Sequence, residues 1–145
     1  MIAVQTEDVD VGDLIHRAKQ PGAGAIVLFD GIVRDDDITE MELEAYKDIA
    51  IKELERIAEQ ARRLHHLLSV DIIHRTGRLK VGENILVILV SAGHRKNAYE
   101  GSRYILEKIK AEVPVWKKEF RRNGNRWVPG EYPHNTGSIP PKEEL

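Results

Sequence analysis

The sequence of 145 residues contains no cysteine. Structural disulfides, thiolate metal sites and a cysteine nucleophile or persulfide carrier are therefore excluded. An excess of charge of one sign is also lacking, because 22 basic and 24 acidic residues leave a net charge of −2. This balance gives no overall field that favours nucleic acid or an anionic membrane surface.

Long hydrophobic runs are missing as well. The longest, Ile85–Val90, is far too short to span a bilayer, and the first twenty residues lack the apolar segment of a signal peptide. We therefore expect a cytoplasmic protein that does not enter a membrane. The length suits one domain over residues 1–128, and the prolines and glycines beyond it predict an extended C-terminal tail over residues 129–145.

Common catalytic and metal-binding motifs are absent too. The sequence has no serine nucleophile elbow, phosphate-binding loop or zinc-protease helix, and its acidic residues lack metal-ligand spacing. We expect neither a metal nor a bound cofactor. His65 and His66 fall on the polar side of a predicted helix, and His74 falls on a predicted strand as a hydrogen-bonded or half-buried side chain.

What is present predicts an α+β fold with a mixed or antiparallel sheet. Ala25–Val33 is a nearly continuous apolar run, which predicts a central strand with a bulge at Gly31. Asp48 is placed to cap a long helix, and Gly77 and Gly82 are expected to bracket a turn. The inner stripe of that helix is Ile51, Leu54, Ile57, Ala58, Ala61, Leu64 and Leu68.

The second half of the chain predicts another long helix and a hairpin. The helix begins near Arg95, and Pro114 prevents its continuation. The strand Val115–Phe120 follows, and Asn123-Gly124 predicts a hairpin into Arg126–Val128. The inner face of the helix is predicted from four residues: Ala98, Ser102, Ile105 and Ile109.

The basic residues cluster locally. From Lys108 to Arg126 there are seven basic residues against two acidic ones, with Trp116 and Phe120 between them. This pattern fits either a solvated face with aromatic anchors or a pocket for an anionic, planar ligand.

Three further cations are candidates for the same pocket. His94 and Arg95 follow a buried strand and open a helix, where backbone N–H groups and the helix dipole favour anions. Arg34 ends another strand, so it could converge on the same place.

Two lysines are candidates for chemistry. Lys110 lies in the last turn of the predicted helix and Lys117 lies on the strand that follows. A lysine that is partly desolvated beside other cations can act as a base or a nucleophile. Strand alternation points Lys118 away from Lys117.

Five segments resemble the molybdopterin synthase catalytic (large) subunit family. They run in order over most of the chain, and the fifth, with its proline, tryptophan and paired lysines, is the most specific. The segments are Gly24–Arg34, Leu43–Tyr46, Ile73–Glu83, Ser91–Glu100, and Leu106–Glu119 with Trp127 beyond it.

The resemblance implies an α/β hammerhead-type fold with an additional antiparallel β subdomain. It implies an enzyme that builds the dithiolene of molybdopterin from cyclic pyranopterin monophosphate. Sulfur would come from the thiocarboxylated C-terminal glycine of a small ubiquitin-like subunit. Two copies of each chain would form a heterotetramer around a central homodimer.

The resemblance also implies roles for individual residues. Lys110 would assist the transfer from the donor glycine, and Lys117 would bind substrate or move protons. The substrate-binding positions would be Phe29, Ile32, Val33, Arg34, His94, Arg95, Lys118 and Glu119.

Two departures from the family pattern stand out. The loop between Arg34 and Tyr46 is short and lacks a glycine, and no basic residue lies between Val128 and Glu131, where relatives can carry an arginine. Two alternatives therefore stay open: a non-catalytic scaffold that retains the docking surface, and a nucleic-acid-binding module that uses the basic segment.

Overall fold

The computed structural model describes residues 1–121 and 124–128. The expected tail over residues 129–145 lies outside them, as do Arg122 and Asn123 of the predicted hairpin turn. The helices are α1 (Val11–Ala18), α2 (Lys47–Leu64) and α3 (Arg95–Glu112). The strands are β1 (Ile2–Gln5), β2 (Ala25–Ile32), β3 (Ile38–Glu44), β4 (Leu67–Arg75), β5 (Gly77–Lys80), β6 (Asn84–Ala92), β7 (Trp116–Arg121) and β8 (Gly124–Val128).

Four strands form a mixed main sheet in the order β1-β4-β6-β2. β1 runs parallel to β4, and β6 runs antiparallel to both β4 and β2. Helices α2 and α3 cover one face through a large apolar cluster that includes Leu54, Ile88 and Ile105. Helix α1 covers the other face, where Leu14 packs with Ile73.

The other four strands form an antiparallel second sheet in the order β5-β3-β7-β8. Its own small core contains Val33, Leu43 and Leu79. Val115 packs against this core and also against the large cluster under α2 and α3. The second sheet is therefore attached where α3 ends.

The main sheet has two ends that matter for function. Ala92 of β6 lies opposite Ala25 of β2 at one end, here called the Ala92 end. Asn84 lies opposite Ile32 at the other, here called the Asn84 end. Eight residues of β2 separate the two ends, which is roughly 24 Å at the usual rise of an extended strand.

Helix α3 runs from the Ala92 end to the Asn84 end. Gly101 lies so close to Leu67, which pairs with Ala92, that a Cβ at position 101 would be 2.7 Å from the Leu67 Cδ2 atom. Glycine lets the first half of α3 approach β4 closely there. Val113, just past the helix, remains packed in the large cluster and leads through Val115 into the second sheet.

The predicted fold class is confirmed. Helices and strands mix as expected, and the antiparallel second sheet is the expected additional β subdomain. Ala98, Ser102, Ile105 and Ile109 are all buried on the inner face of α3, which ends at Glu112 before Pro114. Strand β2 shows the expected irregularity between Gly31 and Ile32, and β7 pairs with β8 as the hairpin signal predicts.

Four local predictions are wrong. Strand β2 lies at an edge of the main sheet, because β6 is its only partner strand in the part of the chain that the structure describes. Tyr46, not Asp48, is the N-cap of α2, and its side chain makes no capping bond. Leu64 and Leu68 are exposed, because α2 ends at Leu64.

The fourth wrong prediction is the extent of the turn between Gly77 and Gly82, because the turn is confined to Val81 and Gly82. Residues 77–80 form β5, which pairs with β3 through Leu79 and Met41. None of the helices in residues 1–121 and 124–128 has the length and apolarity needed to cross a bilayer.

Candidate active site

Lys110 lies in the last turn of α3, on the exposed side of the helix. It follows Leu106 by one turn, and Leu106 packs against the large cluster. Because α3 ends at the Asn84 end, the ammonium group of Lys110 belongs to that end of the molecule.

Lys117 lies on β7, directly opposite the fully buried Leu43 of β3. Its side chain is half-buried. Alternation along β7 puts Lys117 on the same face as Val115, which packs against both cores. Three residues, 113–115, connect the end of α3 to the start of β7, so both lysines flank one short connection.

Lys118 lies on the opposite face of β7. Its ammonium nitrogen lies 5.3 Å from the ring centroid of Trp127 and 5.8 Å from that of Phe120. Glu119 shares the face of Lys117, is buried, and accepts a hydrogen bond of 2.8 Å from Arg121. Lys118 and Glu119 therefore both make contacts within the second sheet, on opposite faces of β7.

Phe29 is half-buried on the face of β2 that α3 covers. Its ring leans along the strand over Gly31, where an added Cβ would be 3.2 Å from the ring atom Cε1. The glycine thus leaves room for the ring to extend toward the Asn84 end. Gly31 therefore lies at the predicted bulge and also beside the Phe29 ring.

The three residues that follow differ in what they offer to a ligand. Ile32 is 52% exposed on the face of β2 opposite Phe29. Val33 is buried, its N–H donates to Glu83, and its carbonyl accepts from Gly82, so it has little left to offer a substrate. It anchors Arg34, whose side chain is 84% exposed and lies 3.5 Å from the carboxylate of Asp36.

His94 and Arg95 lie at the Ala92 end. His94 is the N-cap of α3 and Arg95 is its first residue, and both are exposed. Fifteen residues of helix separate Arg95 from Lys110, which is roughly 22 Å at the α-helical rise. The expected convergence of Arg34 with His94 is therefore wrong within one chain, because β2 and β6 run antiparallel and end at opposite edges.

The basic segment does not form one surface either. Lys108 is paired with Glu112 at 3.2 Å, Arg121 is paired with Glu119, and Lys117 and Lys118 face opposite ways. A continuous basic groove for nucleic acid is thus not present among the described residues of this segment.

A further residue at this end is His74, which was predicted only as a hydrogen-bonded or half-buried side chain on a strand. It is the second-last residue of β4, at the Asn84 end, and is buried. Its Nδ1 donates a 2.9 Å hydrogen bond to the carbonyl of Arg75. Burial lowers the pKa of His74 to about 4, and the positive charge of Lys117 adds to the depression.

Comparisons with known proteins identify the family of this chain. The family model described as MoaE protein matches residues 4–112. A Thermoplasma volcanium protein named molybdopterin synthase catalytic subunit is 38% identical over 128 residues, covering 86% of this chain and 93% of its own length.

Solved structures show the same fold. The crystal structure of molybdopterin synthase from Staphylococcus aureus matches with a TM-score of 0.83 and 31% identity, covering 88% of this chain and 96% of that one. A Helicobacter pylori structure, described as a complex of subunits 1 and 2 of molybdopterin-converting factor, matches with a TM-score of 0.74 at 23% identity, covering 87% and 88%. This last likeness concerns the fold alone.

The two sheets and the helices packed on them define an α+β protein with several cations at the Asn84 end. The match over residues 4–112, together with relatives at 38% identity over most of the chain, makes the assignment specific: the chain belongs to the MoaE protein family.

Proposed function

We propose that this chain carries out sulfur transfer in molybdopterin synthesis at the Asn84 end, around Lys110 and Lys117. Relatives named molybdopterin synthase catalytic subunit support the activity. The chain is accordingly an enzyme subunit, a sulfurtransferase of molybdenum cofactor biosynthesis. One observation supports this location. The two lysines lie on either side of one three-residue connection, at the end of the sheet where Arg34 also lies.

The proposed substrate is cyclic pyranopterin monophosphate. Its phosphate is an anion, for which the exposed guanidinium of Arg34 and the lysine ammonium groups are suitable partners. The ring of Phe29, held over Gly31, offers an aromatic surface for the pterin. Ile32 lies beside these groups on the other face of β2.

The proposed sulfur donor is the thiocarboxylated C-terminal glycine of a small ubiquitin-like subunit. Relatives named molybdopterin synthase catalytic subunit support such a partner, because a catalytic subunit is one chain of a larger assembly. In each of two transfers the donor sulfur bonds to a substrate carbon and displaces an oxygen substituent, whose carbon–oxygen bond breaks and which takes up a proton. Water then hydrolyses the acyl carbon–sulfur bond, so that the sulfur stays on the pterin and the carrier returns as a carboxylate. Lys110 stabilises the negative charge that develops at the acyl oxygen, and Lys117 binds the substrate or moves the proton.

The site is proposed to be completed by a second copy of the chain. His94 and Arg95 lie roughly 22 Å along α3 from Lys110, too far for one small substrate to reach both. A homodimer can supply them across its interface, and the whole assembly is then a heterotetramer with two small subunits. We place the assembly in the cytoplasm.

The test is turnover with a thiocarboxylated ubiquitin-like protein and the cyclic precursor, followed by mass spectrometry of the pterin. Lys110→Ala is expected to lower product formation at least ~100-fold, the usual scale for removing one charge-stabilising group. Its fold stays unchanged because Lys110 is exposed, and partner binding is expected to stay largely intact. Lys108→Ala is the matched control, since Lys108 lies on the same helix turn and contacts Glu112 and the ring of Tyr104 instead of the proposed site. Normal turnover by Lys110→Ala would contradict the proposed location.

The turnover assay tests the first alternative, and an oligonucleotide-binding measurement tests the second. A scaffold without activity would bind the carrier and give no product even as the unmodified chain. A nucleic-acid-binding module would bind an oligonucleotide with an affinity that falls steeply as salt rises.

A further inference from the structure

Arg75, the last residue of β4, is a buried arginine at the Asn84 end and is only 6% exposed. Its guanidinium donates to the carbonyl of Thr6 at 2.8 Å and to the carbonyl of Asn84 at 3.3 Å. Two carboxylates face its charge, Glu83 at 3.4 Å and Asp8 at 3.6 Å. Because a buried guanidinium is costly unless its donors and its charge have partners, these contacts also fix the groups that make them.

Glu83 closes the turn between β5 and β6. Its carboxylate accepts a 2.6 Å hydrogen bond from the N–H of Lys80, and its own N–H donates to the Lys80 carbonyl at 3.0 Å. The Lys80 N–H, helped by the Arg75 guanidinium, holds the pKa of the Glu83 carboxyl below its usual range, so the group stays charged. One carboxylate therefore joins the two sides of the turn and ties the turn to the buried arginine.

The chain is bonded to this turn immediately before it reaches Arg34. The N–H of Val33 donates to the Glu83 carbonyl at 2.9 Å, and the N–H of Gly82 donates to the Val33 carbonyl at 2.8 Å. Residues 34–37 are all exposed. The backbone position of Arg34 therefore depends on the place of the turn.

We propose that Glu83 is a positioning residue for Arg34: held by Arg75, it fixes the turn that places the Arg34 guanidinium for the substrate phosphate. The inference rests on the proposed function, because that function gives Arg34 the phosphate to bind. A long exposed side chain binds an anion more tightly when its backbone is already fixed, since binding then orders fewer groups. If the turn served only the fold, loss of the Glu83 carboxylate would lower stability and leave substrate binding unchanged.

Three variants separate positioning from general stability. Glu83→Ala removes the carboxylate that joins Lys80 to Arg75, and the fold is expected to survive because that side chain is 38% exposed. Glu83→Gln keeps an acceptor for the Lys80 N–H. Asp8→Ala is the matched control, because Asp8 is the other carboxylate beside Arg75 but bonds the Asn84 side chain instead of the turn.

The first measurement is the Kd for cyclic pyranopterin monophosphate, obtained by calorimetry with the carrier present as its ordinary carboxylate so that no sulfur is transferred. We expect Glu83→Ala to raise this Kd at least about fivefold, and Glu83→Gln and Asp8→Ala to stay within about twofold of the unmodified chain.

The same Kd is then measured in an Arg34→Ala background. There Glu83→Ala is expected to have no further effect, because both substitutions remove the same contact with substrate. A rise in Kd of equal size with and without Arg34, or an unchanged Kd for Glu83→Ala in the otherwise unmodified chain, would overturn the proposal.

The second measurement needs no substrate. Hydrogen exchange of the Val33 amide, followed by NMR, is expected to be about tenfold faster in Glu83→Ala and unchanged in Asp8→Ala, because only the first substitution loosens the turn. Unchanged exchange in Glu83→Ala would refute the positioning role. If both measurements respond as stated but the unmodified chain gives no product with the thiocarboxylated carrier, the proposed sulfur transfer fails and the positioning role stands.

Discussion

At the scale of single residues, His74 combines two effects that act in the same direction. Burial and the nearby charge of Lys117 both disfavour the imidazolium, and only the bond to the Arg75 carbonyl opposes them. The ring therefore stays neutral in the folded protein over the whole physiological range, while it can take up a proton freely once the chain unfolds.

This difference predicts a pH-dependent stability. The pKa of His74 is about 4 in the folded protein against 6.5 for an ordinary histidine, so the unfolded chain binds more protons between these values. Stability is therefore lost as the pH falls through this window, by about 2 kcal/mol between pH 7 and pH 5. Urea unfolding at a series of pH values measures the loss.

The matched control is His74→Gln, which cannot titrate. Its free energy of unfolding is expected to change about 2 kcal/mol less than that of the unmodified chain between pH 7 and pH 5. The comparison cancels carboxylates such as Asp8 and Asp30, whose pKa values are shifted in both proteins alike. Parallel pH curves for the two proteins would show that His74 is not the group responsible.

At the scale of elements, helices α1, α2 and α3 differ in whether a side chain caps their first turn. Asp10 caps α1 with a side chain that accepts a 3.0 Å bond from the N–H of Asp13. Helices α2 and α3 begin at Tyr46 and His94 without such a bond, and depend on packing instead. Because α1 has only eight residues, its cap is a larger part of what stabilises it.

Removal of Asp10, the cap of α1, and of Asp48, the predicted cap of α2, is expected to have unequal effects. Asp10→Ala is expected to lower the free energy of unfolding by about 1 kcal/mol, because it leaves an N–H of the first turn without its partner. Asp48→Ala removes only a favourable charge near the start of α2, worth about 0.3–1 kcal/mol at low ionic strength and less in salt. Chemical denaturation of both variants checks the order, and a larger loss for Asp48→Ala would contradict the cap assignment.

The elements that the sequence predicts well are those with a strong periodicity. The inner face of α3 and the strand β6 follow directly from apolar spacing. Strand β5 does not, because four residues with a single buried leucine give no periodic signal. The edge position of β2 depends on which strand pairs with it, and Ala25–Val33 reads the same whether one neighbour is present or two.

At the scale of the whole molecule, the candidate site was only partly predictable. Lys110 and Lys117 are near each other in the chain, so their common location follows from the short connection between them. The relation of Arg34 to His94 depends on the relative direction of β2 and β6, which no local pattern encodes. The sequence therefore identified the types of side chain but not their distribution over the two ends.

A shared site predicts complementation between inactive variants. Lys110→Ala and Arg95→Ala are each expected to be inactive or nearly so as homodimers. When both chains are co-expressed with different tags, half of the dimers are hybrids, and each hybrid has one intact site. Recovery of about a quarter of the unmodified activity is therefore expected for a symmetric dimer.

Co-expression of Lys110→Ala with Lys117→Ala is the control. Both lysines come from the same chain in each proposed site, so no hybrid has an intact site and no activity returns. Recovery in this control would show that Lys110 and Lys117 reach one site from different chains. No recovery in the first pair would place Lys110 and Arg95 in one chain's site or in no common site.

The connection of three residues between α3 and β7 has a further consequence. Buried Val113 anchors this connection on one side, and Val115 anchors it on the other. The chain itself therefore holds the two lysines at a fixed separation. Adding or deleting a residue there would change both the distance between the two lysines and their relative orientation.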